Sequence, residues 1–405
     1  MQSTSGNSAT NIKWIYLITL LGECYLTMAV WLFFYTRYLT FSEITTLVVM
    51  QQVVQLVFEI PTGAIADLLG KKKTLAISYL LYTISLALTP FFTHFWIFFA
   101  LEFLKGIAKS LSSGTFEALT YDSLAGAGRE KEYGVVNAKI TSLSWVAYII
   151  AGIAGGALYD YSYRLPYLLL AGFYFLSLLL ILFALREPSV DTEKGFTFKQ
   201  YLQQTMSGFY ELFKTRRIAY MVLLLLVGTL GYYTASEFLG VSQGKGFNLS
   251  ATQVSLLFTG GYIVSAVLAQ FFAKLQNKFS HIGIALTAGC FMLLSYLAAM
   301  FVSPIVGMTL IMGRISSSST FANIRSVLLN NEISSKNRAT ALSTFSLLYT
   351  LPYTLVVFFG GRIIDATSVN TFASMFGVFL LLGMGIFTIL YGQEVSRQKR
   401  GESQR

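Results

Sequence analysis

The chain is expected to be an all-α polytopic membrane protein, with twelve transmembrane helices in two pseudo-symmetric six-helix bundles and both termini cytoplasmic. Three observations predict this: extreme apolarity, regularly spaced breaks between apolar runs, and lopsided basic residues. Of its 405 residues, 55% are hydrophobic and only 12% charged, with a mean hydropathy of +0.62, whereas soluble domains approach one charged residue in four. The chain therefore belongs in a bilayer. The net charge of +10 sits in short clusters between apolar runs, not on one solvated face, which points to lipid headgroups and away from nucleic acid. Cys24 and Cys290, both inside apolar segments, form neither a disulfide framework nor a metal site.

A helix needs about 20 apolar residues to cross the hydrocarbon core. The breaks place spans near 13–36, 43–66, 74–92, 95–122, 133–158, 164–186, 217–240, 250–273, 281–302, 304–329, 338–361 and 370–392. The first run, from Lys13, is too long for a signal-peptide core and is expected to stay as a span. The second carries Glu59, Pro61 and Asp67 and ends at Lys71, Lys72 and Lys73. After the sixth comes the longest polar stretch, with Pro188 stopping the helix and an amphipathic segment over 198–213. The domains are accordingly 1–188, a first six-helix bundle; 189–215, a central cytoplasmic linker; and 216–405, a second bundle.

With the N-terminus inside, 20 of the 29 Lys and Arg residues fall in inner segments, while Arg37, Arg164, Lys245 and Arg362 fall outside. Basic loops stay cytoplasmic, so this asymmetry sets the orientation. The halves also echo one another: an offset of 205 residues lays Phe116 on Phe321, Gly155-Gly156 on Gly360-Gly361, and Asp160 on Asp365. Duplicated halves commonly enclose a site at their interface.

An ionisable side chain at mid-bilayer costs about 2.5–3.5 kcal/mol on insertion scales and needs a partner or a watery cavity. Glu23 falls near the middle of the first span, with Thr19 and Thr27 on the same face. Glu102, Lys105 and Lys109, spaced i, i+3, i+7, share one face of the fourth. Arg314 lies mid-way along the tenth, beside "SSSSTFAN". These five are expected to line a central cavity, although Glu102 with Lys105 or Lys109 also fits an intrahelical pair that neutralises itself. Glu59 joins them as a protonatable carboxylate or as a structural group at a bend near Pro61. Glu117, Asp122, Lys139 and Arg325, near cytoplasmic ends, are expected in salt bridges. The segment "GVSQGKG" after Leu239 lacks the phosphate-loop spacing and is expected outside the membrane. Nothing supports an enzyme: there are only His94 and His281, no metal cluster and no nucleophile elbow.

Gly63, Asp67, Gly70, Lys71, Lys72 and Leu75 keep the spacing of a loop motif between the second and third helices of the major facilitator superfamily, which the chain resembles over essentially its whole length. Glu102 stands where that family's fourth helix often has Arg, with Gly106 retained. Gly152, Gly155 and Gly156 match the fifth-helix glycines of its antiporters, without their Pro. The resemblance, to drug efflux members above all, implies alternating access in a bacterial inner or plasma membrane, as a monomer among membrane lipids. It implies a small-molecule substrate, proton-coupled efflux of hydrophobic or amphiphilic compounds, and no cofactor beyond the proton gradient. It also implies a cytoplasmic gate in which Asp67 meets the start of the eleventh helix, near Arg338. Two other readings stay open: uptake or exchange of an anionic or zwitterionic metabolite, and a non-transporting receptor or assembly protein on the same scaffold.

Overall fold

A computed structural model describes residues 5–187, 198–276, 278–334 and 337–402, with the side chains of 60–68 and a few others left outside the description. The chain divides into two units: Met1–Phe198 with Ser250–Leu256, and Lys199–Leu249 with Leu257–Arg405.

Unit 1 begins with α1 (Ser5–Gly22), α2 (Trp31–Tyr35), α3 (Phe41–Leu69) and α4 (Lys71–Leu88). It continues through α5 (Phe95–Ser112), α6 (Thr115–Ala125), α7 (Tyr133–Tyr161) and α8 (Leu165–Phe183). Ile12, Ile15 and Ile18 of α1 pack with Leu75, Leu119 and Ile181 in its core. Hydroxyls stitch the helices where apolar packing alone has no direction: Ser78 Oγ donates to Ala108 O at 2.6 Å and Ser85 Oγ to Leu101 O at 2.8 Å, joining α4 to α5.

Two expected spans are not continuous helices. The first unwinds after Gly22: Tyr25 N donates to Glu23 O and Leu26 N to Cys24 O, closing tight turns in place of helical ones. The freed backbone is protected by close packing. A Cβ on Gly155 of α7 would stand 2.3 Å from Leu26 O, so only glycine lets α7 cover the break. Aromatic contacts then anchor α2, where Phe34 meets Phe98 and Tyr167. The fourth span divides at Gly114, whose φ of 70° cannot continue an α-helix.

Unit 2 holds α9 (Phe198–Phe213), α10 (Arg216–Thr234), a π-helical turn (Ala235–Leu239) and α11 (Gly240–Gly246). Then follow α12 (Ala251–Gln276), whose first turn belongs to unit 1, α13 (His281–Leu297), α14 (Pro304–Glu332), α15 (Arg338–Ala366) and α16 (Val369–Glu402). Leu212, Val222, Leu225, Phe321, Ile324 and Ala341 form its core, which takes in α9 from the expected linker. The segment "GVSQGKG", expected outside the membrane, is helical. It is α11, the helical continuation of the seventh span, and Gly240 through Gly244 are buried. The π turn absorbs an extra residue and lets the helix run on.

Among the described residues, eight helical segments are long and apolar enough to cross a membrane. They fall on the second, third, fifth, sixth, seventh, eighth, eleventh and twelfth expected spans. The others fall short for identifiable reasons. The first is broken, the fourth carries three charges in α5 alone, the ninth has an α-helix of 17 residues, and the tenth holds Arg314 and the serine run. Outward apolar side chains such as Val57, Ile153, Phe379 and Leu382 are each about half exposed or more, the surface a hydrocarbon solvent requires.

Candidate functional site

The polar groups of unit 1 gather where α1 is broken and where α5 carries its charges. Glu23 is the first residue beyond α1, half-buried, and its Oε2 accepts from Tyr148 OH of α7 at 2.8 Å. Unwinding thus puts a carboxylate beside backbone groups freed from helical hydrogen bonds, the arrangement by which broken membrane helices commonly form sites. On α5, Glu102 and Lys105 are 6% and 7% exposed and form an ion pair. Tyr35 OH of α2 also donates to Glu102 Oε1. The intrahelical pair considered from spacing is therefore present, and it has a third member that spacing did not reveal. Lys109, one turn further, is half-buried. Glu59 is exposed on α3.

Burial of this pair is costly in desolvation, and removing either partner leaves a naked charge; the tyrosine hydrogen bond satisfies a further lone pair.

In unit 2, Arg314 of α14 is 1% exposed. Its Nη1 donates to Gln243 Oε1 of α11 at 2.7 Å, and its guanidinium carbon stands 4.6 Å from the Tyr296 ring centroid of α13. Tyr232 OH of α10 donates to Ala288 O at 2.7 Å and lies 2.8 Å from Ser317 Oγ, extending the polar patch. Gln243 had no signal in the sequence beyond being polar near an apolar run.

Where α3 meets α4 in unit 1, Gly70 separates the two helices with φ 90°, a conformation that favours glycine. Beyond it the exposed amides of Lys71 and Lys72 donate to the two carboxylate oxygens of Glu187, at 2.7 and 2.9 Å. A carboxylate on a helix N-terminus satisfies orphan N–H groups and complements the dipole. Lys71 Nζ pairs with Asp122 of α6, so Asp122 forms a salt bridge as expected. Arg325 instead donates to Thr229 Oγ1 at 3.2 Å. Glu187 was not singled out from the sequence, nor was Asn11. The Asn11 side chain exchanges two hydrogen bonds with the Arg186 backbone, at 2.9 and 3.0 Å. It thereby holds α1 against the chain that presents Glu187.

The side chain of Asp67, and Gly63 with it, lies outside the described residues, as does the expected contact of Asp67 with the eleventh span. Arg338 starts α15, exposed, and donates to Asn330 O at 3.4 Å. Of the fifth-span glycines, Gly152, Gly155 and Gly156 are all buried on α7. Among the described residues no group of His, Cys, Asp and Glu is arranged to hold a metal ion.

The profile of the Major Facilitator Superfamily matches residues 14–327. Among similar curated proteins are the uncharacterized MFS-type transporter YxaM of Bacillus subtilis, 24% identical over 245 residues, covering 59% of this chain and 59% of that protein. Multidrug resistance protein 1 of the same organism is 25% identical over 216 residues, 53% of each chain. Quinolone resistance protein NorA of Staphylococcus aureus is 24% identical over 245 residues, 60% of this chain and 61% of the relative. The chain thus spans between 53% and 61% of the length of these curated relatives. Among solved structures, the nucleoside transporter NupG has a TM-score of 0.74 at 16% identity, covering 95% of this chain and 98% of that one. A bacterial homologue of the human lysosomal transporter Spinster, inward-facing and unoccupied, has a TM-score of 0.66 at 15% identity, covering 96% and 98%. These two likenesses concern the fold, while the profile covers most of the sequence: this polytopic membrane protein belongs to the major facilitator superfamily.

Proposed function

We propose that this family member is a secondary active transporter that exports hydrophobic or amphiphilic compounds by alternating access, driven by inward proton flow. The observation that carries the coupling is the buried Tyr35–Glu102–Lys105 cluster beside the broken first span with Glu23. Such groups are expensive to keep at this depth and are retained where they do work. Relatives named for multidrug and quinolone resistance support the direction and substrate class. The reading includes twelve spans, both termini cytoplasmic, and a monomeric unit of transport in a bacterial plasma membrane. It takes the Gly70–Lys71 corner, pinned by Asp122 and Glu187, as part of a cytoplasmic gate that changes with state.

Everted vesicles carrying the protein test this directly. A lipophilic dye should be pumped on energisation, and an uncoupler should abolish the pumping. Glu23→Gln or Glu102→Gln should cut proton-driven transport about tenfold or more while dye binding persists. Transport that stays fully proton-driven in both variants would remove these carboxylates from the coupling path.

A further inference from the structure

Arg314 is the bulkiest of the fully buried side chains, yet among the described residues no ion pair includes it. Its hydrogen bonding is one-sided. Nη1 is held by Gln243, but Nε and Nη2 are buried without a hydrogen-bond partner, and so is Nε2 of Gln243. Nε and Nη2 form the side-on edge of a guanidinium, whose two parallel N–H groups match the two oxygens of a carboxylate. The same chain shows that edge in use: Arg129 donates from Nε and Nη2 to the two oxygens of Glu132, both at 2.7 Å. In Arg314 that edge is unpaired. The carboxylate nearest in sequence on the seventh span, Glu237, is exposed on the π turn and within electrostatic reach of Tyr262 and Tyr353. Tyr296 and Met292, one turn apart on α13, and Ile311 and Ile315, within one turn of Arg314 on α14, are all buried and largely apolar.

We propose that the Nε–Nη2 edge of Arg314, with Gln243 Nε2, is a binding subsite for the carboxylate of an amphiphilic solute. The surrounding apolar wall receives the rest of the molecule. The proposal rests on the transport reading and narrows its substrate class to anionic amphiphiles. Cation–π contact with Tyr296 and the bond to Gln243 hold the guanidinium plane in place before a ligand arrives. Preorganisation of this kind turns a buried charge from a liability into a recognition element.

The test uses the purified full chain in phosphatidylcholine nanodiscs, with 4-phenylbutanoate and its uncharged amide as matched probes and empty nanodiscs as reference. The carboxylate should bind about tenfold tighter than the amide, the scale of one charge-assisted bidentate contact. Arg314→Lys keeps the charge but loses the fork, and should erase this preference, with residual binding of the amide by the same variant showing that the fold is kept. Gln243→Leu should weaken carboxylate binding about threefold, the scale of one hydrogen bond. Equal binding of the two probes by the unaltered protein, or an undiminished preference in Arg314→Lys, would overturn the subsite. So would a preference that vanishes when phosphatidylglycerol is added to the nanodisc, because the edge would then belong to a lipid headgroup. Energised efflux of 4-phenylbutanoate itself from vesicles separates the two readings. If it fails while the carboxylate preference holds, transport by efflux is overturned and the subsite stands.

Discussion

Glu102 shows how much of a single residue's role can be read before any contact is known. Its spacing to Lys105 predicts a pair on one helical face, and the pair is there. Tyr35 could not be found that way, because its hydroxyl arrives from a short helix 67 residues earlier whose position depends on the break after Gly22. The residue-scale expectation follows from burial. Glu102→Gln strands the Lys105 charge and should cost about 3 kcal/mol, seen as a lowered melting temperature in detergent. The double change Glu102→Gln, Lys105→Met should recover most of that loss, since two well-packed neutral groups avoid the desolvation of the pair. A double variant no more stable than the single one would show that the pair's charges are not the source of the cost. Arg314 is similar. Its depth is evident from sequence, but the partner that fixes its plane, Gln243, lies in a segment that reads as a loop.

Local patterning predicted most elements because an apolar run has few alternatives in hydrocarbon; the departures occur where polar side chains or glycine replace helical hydrogen bonds. The amphipathic segment over 198–213 is α9, and its Glu211 joins it to the start of the eleventh span's approach. The Glu211 carboxylate accepts from Lys214 Nζ and from Ser334 N, both at 2.8 Å. The hydrogen bond from Lys214, reinforced by the Ser334 amide, pushes its pKa down to about 2 from an ordinary 4.5. A carboxylate depressed in the folded state stabilises above its unfolded value, and that contribution fades as pH falls from 4.5 towards 2. A spin label at Met206→Cys should therefore report loosening of α9 over that window, and Glu211→Gln should remove the pH dependence. Solvent near the pair limits the effect to about 1 kcal/mol. At the other bundle's corner, Glu187→Ala should expose the first amides of α4 and cost about 1 kcal/mol. Protease sensitivity near Gly70 should rise, and unchanged cleavage would mean that another group covers those amides.

Across the molecule, the same offset that aligns the glycine pairs also lays Lys109 on Arg314, so both halves carry a basic residue at one position of their fourth spans. The two have diverged in surroundings: Lys109 is half-buried, while Arg314 is sealed beneath a π-distorted seventh span. Membrane residence, a helix at each expected span and membership of the loop-motif family could all be read from the chain itself. Composition and apolar run length report directly on transfer from water to hydrocarbon, a property of each segment taken alone. The break at Glu23, the third partner of Glu102, the cap supplied by Glu187 and the unpaired edge of Arg314 came from the packed bundles. Each depends on which distant groups share a small volume, and hydrogen bonds at that range leave no period in the sequence.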